Sequence, residues 1–183
     1  IDGTDATKGK CYDGGAFFKD THPARGEQTA TQDNLLAGTG TTTAALKTDL
    51  NAAIASMRKL KDEANKPYHR SMGQLVIVAP PDLELAFKEV LNATIVSNTS
   101  NVQVGTADLV LSGYLSDVND WYLLHVGNPL MPLIFQNRKA IEFSALEAES
   151  ESGFMRNTYY YGTRGRYVAG FGMWQDAVKT TNT

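Results

Sequence analysis

Cys11 and His22 are the residues whose types could do covalent chemistry. A thiolate is a nucleophile, and an imidazole can take the thiol proton. They lie close together in sequence with Asp13 between them, so a Cys-His hydrolase is one reading of the chain. The rest of such a site is not visible. No Gly-x-Ser-x-Gly elbow and no oxyanion-hole signal accompany them. A surface loop holding both residues is the plainer reading.

Other candidate sites are thinner. His22, His69 and His125 have no ligand partner four residues on, and Cys11 has no second cysteine, so no metal and no cofactor site is expected. Glu147, Glu149 and Glu151 alternate, but they miss the Gly and the final Glu of a calcium loop and read as a solvated turn. The Gly-Thr run from Ala37 to Thr43 precedes a helix, where backbone N–H groups can hold phosphate. It lacks the lysine and glycine spacing of a nucleotide loop, so it reads as loop and N-cap. Asn92-Ala93-Thr94 and Asn98-Thr99-Ser100 match the glycosylation pattern by chance, since no secretion signal precedes them. Arg156, Arg164 and Arg166 surround Tyr159 to Tyr161. That cluster fits a nucleic-acid-binding module through charge and stacking, or a protein interface. The acidic segment beside it and a net charge of -3 favour the interface.

The elements that must carry these residues follow from periodicity. Leu46, Leu50, Ala53, Ile54, Met57 and Leu60 recur at spacings of three and four, which predicts a helix over 43–64. Thr41, Thr42 and Thr43 offer its cap, and Pro67 lies beyond its end. The apolar run 74–79 predicts a buried strand. Pro81, Asp82 and Glu84 open a second helix with Leu83, Phe87, Val90 and Leu91 on its apolar face. Short strands are expected at Ala16 to Phe18, Leu109 to Leu111 and Trp121 to Val126.

The stretch Leu130–Trp174 alternates with period two. Ile141, Phe143 and Ala145 interleave with Glu142 and Ser144. Tyr167, Ala169, Phe171 and Met173 interleave with Val168, Gly170, Gly172 and Trp174. Long strands with one apolar face are expected there. The final KTTNT is expected to be a frayed polar tail.

Size and composition bound the rest. A chain of 183 residues with 42% hydrophobic residues can bury a real core. One cysteine cannot form an internal disulfide, which fits a reducing compartment. No apolar run is long enough to span a membrane. The chain begins at Ile1 rather than Met, as expected of a fragment or processed product.

Several short segments taken together resemble the major head subunit of Mu-like phages and prophages, the T protein family. They are Cys11-Tyr12-Asp13-Gly14 with Phe17-Phe18 and His22-Pro23, then Leu75 to Pro81 with Leu83, and Trp121-Tyr122-Leu123-Leu124. Pro132-Leu133-Ile134-Phe135-Gln136 with Arg138 follows, then Phe154-Met155-Arg156, Tyr161-Gly162 and Gly170 to Trp174. The resemblance implies an α+β fold of the tailed-phage major capsid, or Hong Kong ninety-seven, type. It implies a loop-rich segment over 1–30, an axial-like domain over 31–130, and peripheral-domain strands with a polar tail over 131–183. Only ten residues precede Cys11, so the N-terminal arm, extended loop and spine helix of that fold are expected to be missing. Part of the apolar face holding Ile141, Phe143, Tyr167 or Phe171 should then be exposed or covered by another chain.

The function implied is that of a structural subunit, not an enzyme. It would self-assemble as hexamers and pentamers into the icosahedral shell around phage DNA. The expected setting is the virion capsid, assembled in the bacterial host cytoplasm. Scaffold or decoration proteins are further expected partners, DNA a non-specific one, and a membrane none. The resemblance transfers no catalytic residue.

Overall fold

The computed structural model describes residues 3–5, 7, 9–69, 72–96, 99–146, 151–156 and 158–183. Helix α1 (Thr43–Lys59) buries Leu46, Leu50, Ala53 and Met57 completely, as the spacing requires. Thr42 caps it, its hydroxyl accepting from the Ala45 N–H. The helix ends earlier than predicted because Leu60 turns extended, with φ -60° and ψ 141°. Asp62 then closes a turn by accepting from the N–H groups of Ala64 and Lys66. Asp62 and Glu63 therefore stand outside the helix and do not oppose its dipole. Arg58 and Lys59 form its last turn, on the favourable side.

A five-stranded sheet forms the centre. Its order is β1 (Leu35–Ala37), β9 (Ala177–Thr181), β6 (Trp121–His125), β2 (Leu75–Ala79), β5 (Asp108–Leu111). β1 runs parallel to β9 and β2 parallel to β5, while β6 is antiparallel to both β2 and β9. β6 is buried along its length, and β2 alternates buried and half-buried residues. A 3₁₀ turn (Pro81–Leu83) leads into α2 (Glu84–Asn92), which buries Phe87, Val90 and Leu91. Phe87 meets Trp121 edge-on, with centroids 5.2 Å apart. Each such buried side chain contributes about 1.5–3 kcal/mol. A small ribbon of β3 (Ile95–Val96) and β4 (Thr99–Ser100) follows α2.

Two expectations fail here. Ala16 to Phe18 is not a strand; Ala16 only bridges Lys10, while Phe17 and Phe18 enter the core as buried anchors. The tail is not frayed either. Val178 is fully buried in β9, and Lys179, Thr180 and Asn182 are buried with it. Most of these polar groups find a partner, the Thr180 hydroxyl being the exception. Lys179 Nζ lies 2.9 Å from Asp120 Oδ2, Thr181 donates to the Leu36 carbonyl, and Asn182 donates to the Asn119 carbonyl. Polar composition hid an interior strand because Lys179, Thr181 and Asn182 are paired inside the fold.

The chain divides into two compact units, Ile1–Leu133 with Phe171–Thr183, and Ile134–Gly170. These boundaries differ from 1–30, 31–130 and 131–183. The first segment adds Phe17 and Phe18 to the same core as α1, and 171–183 returns to the central sheet as β9. The second unit holds most of β7 (Leu133–Leu146), α3 (Glu151–Arg156) and β8 (Tyr160–Phe171); β7 and β8 pair as a two-stranded sheet. Glu147, Glu149 and Asn98 lie outside the described residues. Among the described residues no helix is long and apolar enough to cross a membrane.

Candidate assembly surface

The β7–β8 ribbon has two unlike faces. Period two places Phe135, Ile141 and Phe143 on one side of β7, with Tyr161, Gly165 and Tyr167 facing them from β8. Phe135 lies 5.9 Å from Tyr167, and Phe143 lies 6.1 Å from Tyr161 in a stacked pair. A Cβ at Gly165 would come 3.2 Å from Ile141, so glycine makes room for that side chain. The face remains open within the chain: Ile141 is 76% exposed, Phe143 68% and Tyr167 67%. Gln136, Arg138, Glu142, Arg164 and Arg166 take the opposite side with Ile134, Leu146 and Val168, while Asn137 and Lys139 fall on the aromatic side. The expected Tyr159–Arg166 cluster is thereby divided. Tyr161 joins the apolar face, while Arg164 and Arg166 share the polar face with Tyr160. Arg156 sits in α3. Phe171 departs from the expected exposed set. It is half-buried and stacks on Phe17 at 4.5 Å.

The first unit also carries an apolar groove of about 380 Å³. Phe18, Val78, Tyr114, Tyr122, Leu124 and Phe171 are among its walls. Tyr114 is 95% exposed at its rim.

Cys11 and His22 do not form a nucleophile and base. His22 Nδ1 lies 2.6 Å from Asp13 Oδ2, and Nε2 lies 3.0 Å from Asn34 Oδ1. Both ring nitrogens are engaged, so neither offers a lone pair to a thiol. Asn34 is held in turn. Its amide donates to the carbonyls of Phe17, Trp174 and Ala177, and its Oδ1 accepts from the Lys19 N–H. Burial would raise the Asp13 pKa. The His22 hydrogen bond, the Gly15 N–H and the charges of His22 and Arg25 outweigh it and hold the carboxyl below its ordinary value. Cys11 is buried, and burial pushes its thiol pKa up, away from the thiolate that attack requires.

The Gly-Thr run is likewise internally filled. Thr39 gives its N–H and hydroxyl to Asp49, and the Gly40 N–H donates to Asn182 Oδ1. A Cβ at Gly38 would collide with Asn182. The groups that could have held phosphate serve a carboxylate and an amide instead.

Sequence reasoning missed one cluster. His69, His125 and Asp176 are buried together, with one ligand atom of each within 4.8 Å of the others. His125 Nδ1 is 3.1 Å from Asp176 Oδ1, although the two residues are 51 positions apart. No local spacing could have paired them.

Comparison with known proteins fits this picture. Residues 116–183 match the family model of the Mu-like prophage major head subunit gpT. The chain resembles the Mu-like major head subunits. It is 38% identical over 64 residues to the Mu-like prophage FluMu major head subunit of Haemophilus influenzae, covering 34% of this chain and 21% of that protein. It is 36% identical over 76 residues to the major capsid protein of Escherichia phage Mu, covering 41% of this chain and 25% of the relative. The match thus spans a quarter or less of the length of these relatives.

The fold is shared more widely. The capsid structure of the cyanophage P-SCSP1u superposes with TM-score 0.52 at 12% identity, covering 87% of this chain and 57% of that one. A virus-like particle from Pyrococcus furiosus gives TM-score 0.51 at 9% identity, covering 81% and 56%. The chain has the α+β fold of tailed-phage major capsid proteins, the Hong Kong ninety-seven type.

Proposed function

We propose that this chain is part of a major capsid subunit that assembles by self-association into a phage head. The observation that carries this reading is the open apolar face of the β7–β8 ribbon, on a fold shared with capsid proteins. A two-stranded ribbon is marginal in water by itself. One that presents Phe135, Ile141, Phe143, Tyr161 and Tyr167 together marks a surface that binds protein. In a shell, each subunit needs large self-complementary contacts, typically above about 2,000 Å² for obligate assemblies.

On this reading the first unit is the axial domain and Ile134–Gly170 supplies peripheral-domain strands. Subunits associate as hexamers and pentamers around packaged DNA, in the host cytoplasm, and end in the virion. Scaffold or decoration proteins are further partners. DNA contact is non-specific, in keeping with the net charge of -3. Light scattering of the full-length gene product tests the proposal: particles far larger than a monomer are expected. A strict monomer at high concentration contradicts it.

A further inference from the structure

We propose that His69, His125 and Asp176 form a binding site for one divalent transition-metal ion, with Zn²⁺ the best match to the donors. Two imidazoles and a carboxylate suit zinc, which bonds nitrogen and oxygen at about 2.0–2.2 Å. Two donors on one tetrahedral ion then stand roughly 3.3 Å apart. Asp176 Oδ1 lies 3.1 Å from His125 Nδ1 and 3.8 Å from His69 Nδ1, on either side of that figure. All three side chains are nearly inaccessible, at 1%, 2% and 0% exposure for His69, His125 and Asp176.

The orientation of His69 is the decisive detail. Its Nε2 lies 2.8 Å from the Gln175 carbonyl, which can only accept, so the proton sits on Nε2. Nδ1 is left with a lone pair aimed at Asp176, and it has no hydrogen-bond partner among the described residues. A carboxylate cannot donate to it. A ligating histidine has this arrangement: one nitrogen toward the metal, the other N–H on a backbone carbonyl. Asp176 is supported in the same way, with Tyr68 donating to Oδ2 and Asn128 to Oδ1. His125 and His69 meet edge-on, centroids 5.1 Å apart. The ion would tie the connection before β2 to the end of β6 and the start of β9. This goes beyond the assembly reading and does not depend on it.

The test is titration of the chelator-stripped chain with Zn²⁺ by calorimetry, repeated with Co²⁺ by visible absorption. One equivalent of Zn²⁺ should bind and raise the melting temperature. The Co²⁺ spectrum should show tetrahedral nitrogen and oxygen ligation. His69→Gln keeps a donor for the Gln175 carbonyl and should lose binding while circular dichroism stays unchanged. Cys11→Ser should bind as the parent does. No stoichiometric uptake by the parent overturns the proposal, as does equal uptake by His69→Gln. Should His69→Gln fail to fold, the parent's Co²⁺ spectrum decides: thiolate charge-transfer bands contradict the site, and their absence beside tetrahedral bands supports it.

Discussion

His22 and Trp174 stack face to face, centroids 3.9 Å apart and ring planes 1° from parallel. This contact joins the first loop to the last turn before β9. Trp174 also donates to the Tyr12 hydroxyl, which accepts a second bond from Gln175. Arg25 lies over the Tyr12 ring at 5.1 Å. Cys11-Tyr12-Asp13, His22 and Trp174 are thus parts of one clasp, in which Cys11, His22 and Trp174 are buried and Tyr12 is exposed.

Removing the stacked ring should therefore damage the whole first unit. Trp174→Ala should cost about 3–5 kcal/mol, the usual range for truncating a buried aromatic residue. Trp174→Phe keeps a ring on His22 and loses the hydrogen bond to Tyr12, a smaller loss of about 1 kcal/mol. Urea unfolding followed by circular dichroism ranks the two. Equal midpoints would show that the stack contributes nothing.

Asp13 makes the clasp acid-sensitive. Its folded pKa lies below the ordinary 3.8, so in that interval the unfolded chain binds more protons than the folded one. The contribution of Asp13 is complete above the unfolded value and is lost as pH falls through the folded one. Asp13→Asn should cost about 1.5–3 kcal/mol at pH 7, the range for a hydrogen bond to a charged group, and much less in strong acid. Midpoints measured at neutral pH and near pH 3 give the difference. A cost that does not shrink in acid would contradict the assignment.

Cys11 should be inert. Its burial and raised pKa predict slow alkylation by iodoacetamide in the native chain and rapid alkylation once it is unfolded. Mass spectrometry with and without urea provides the comparison. Fast native labelling would reopen the hydrolase reading.

The Lys179–Asp120 pair tests the placement of β9. Both side chains are buried, at 6% and 9% exposure. Asp120→Ala leaves a buried ammonium without its carboxylate and should cost about 3–5 kcal/mol. A cost below about 0.5 kcal/mol, typical of a surface change, would mean that the tail does not lie inside the sheet between β1 and β6.

Much of this was legible from local pattern. Leu46, Leu50, Ala53 and Met57 announced α1, and the alternation of Ile141 and Phe143 with Glu142 and Ser144 announced the long strand β7. What stayed hidden was non-local. His22 reaches Trp174, and His69 reaches Gln175 across 106 residues, with no spacing rule to signal either. The tail was misread because hydropathy weighs residue types and not partners. Lys179 and Asn182 read as solvent-facing until Asp120 and Asn119 are placed beside them. The Tyr-Arg cluster looked continuous in sequence because residues adjacent along a strand fall on opposite faces.

Assembly as proposed makes the apolar face of the β7–β8 ribbon a contact between subunits. Negative-stain microscopy of the full-length gene product, compared with Ile141→Asp and Phe143→Asp, tests it most directly. Both positions are exposed in the single chain, so the variants should keep the unit 1 melting transition. Closed particles are expected for the parent and none for either variant. Particles of parental size and yield from both variants would contradict it.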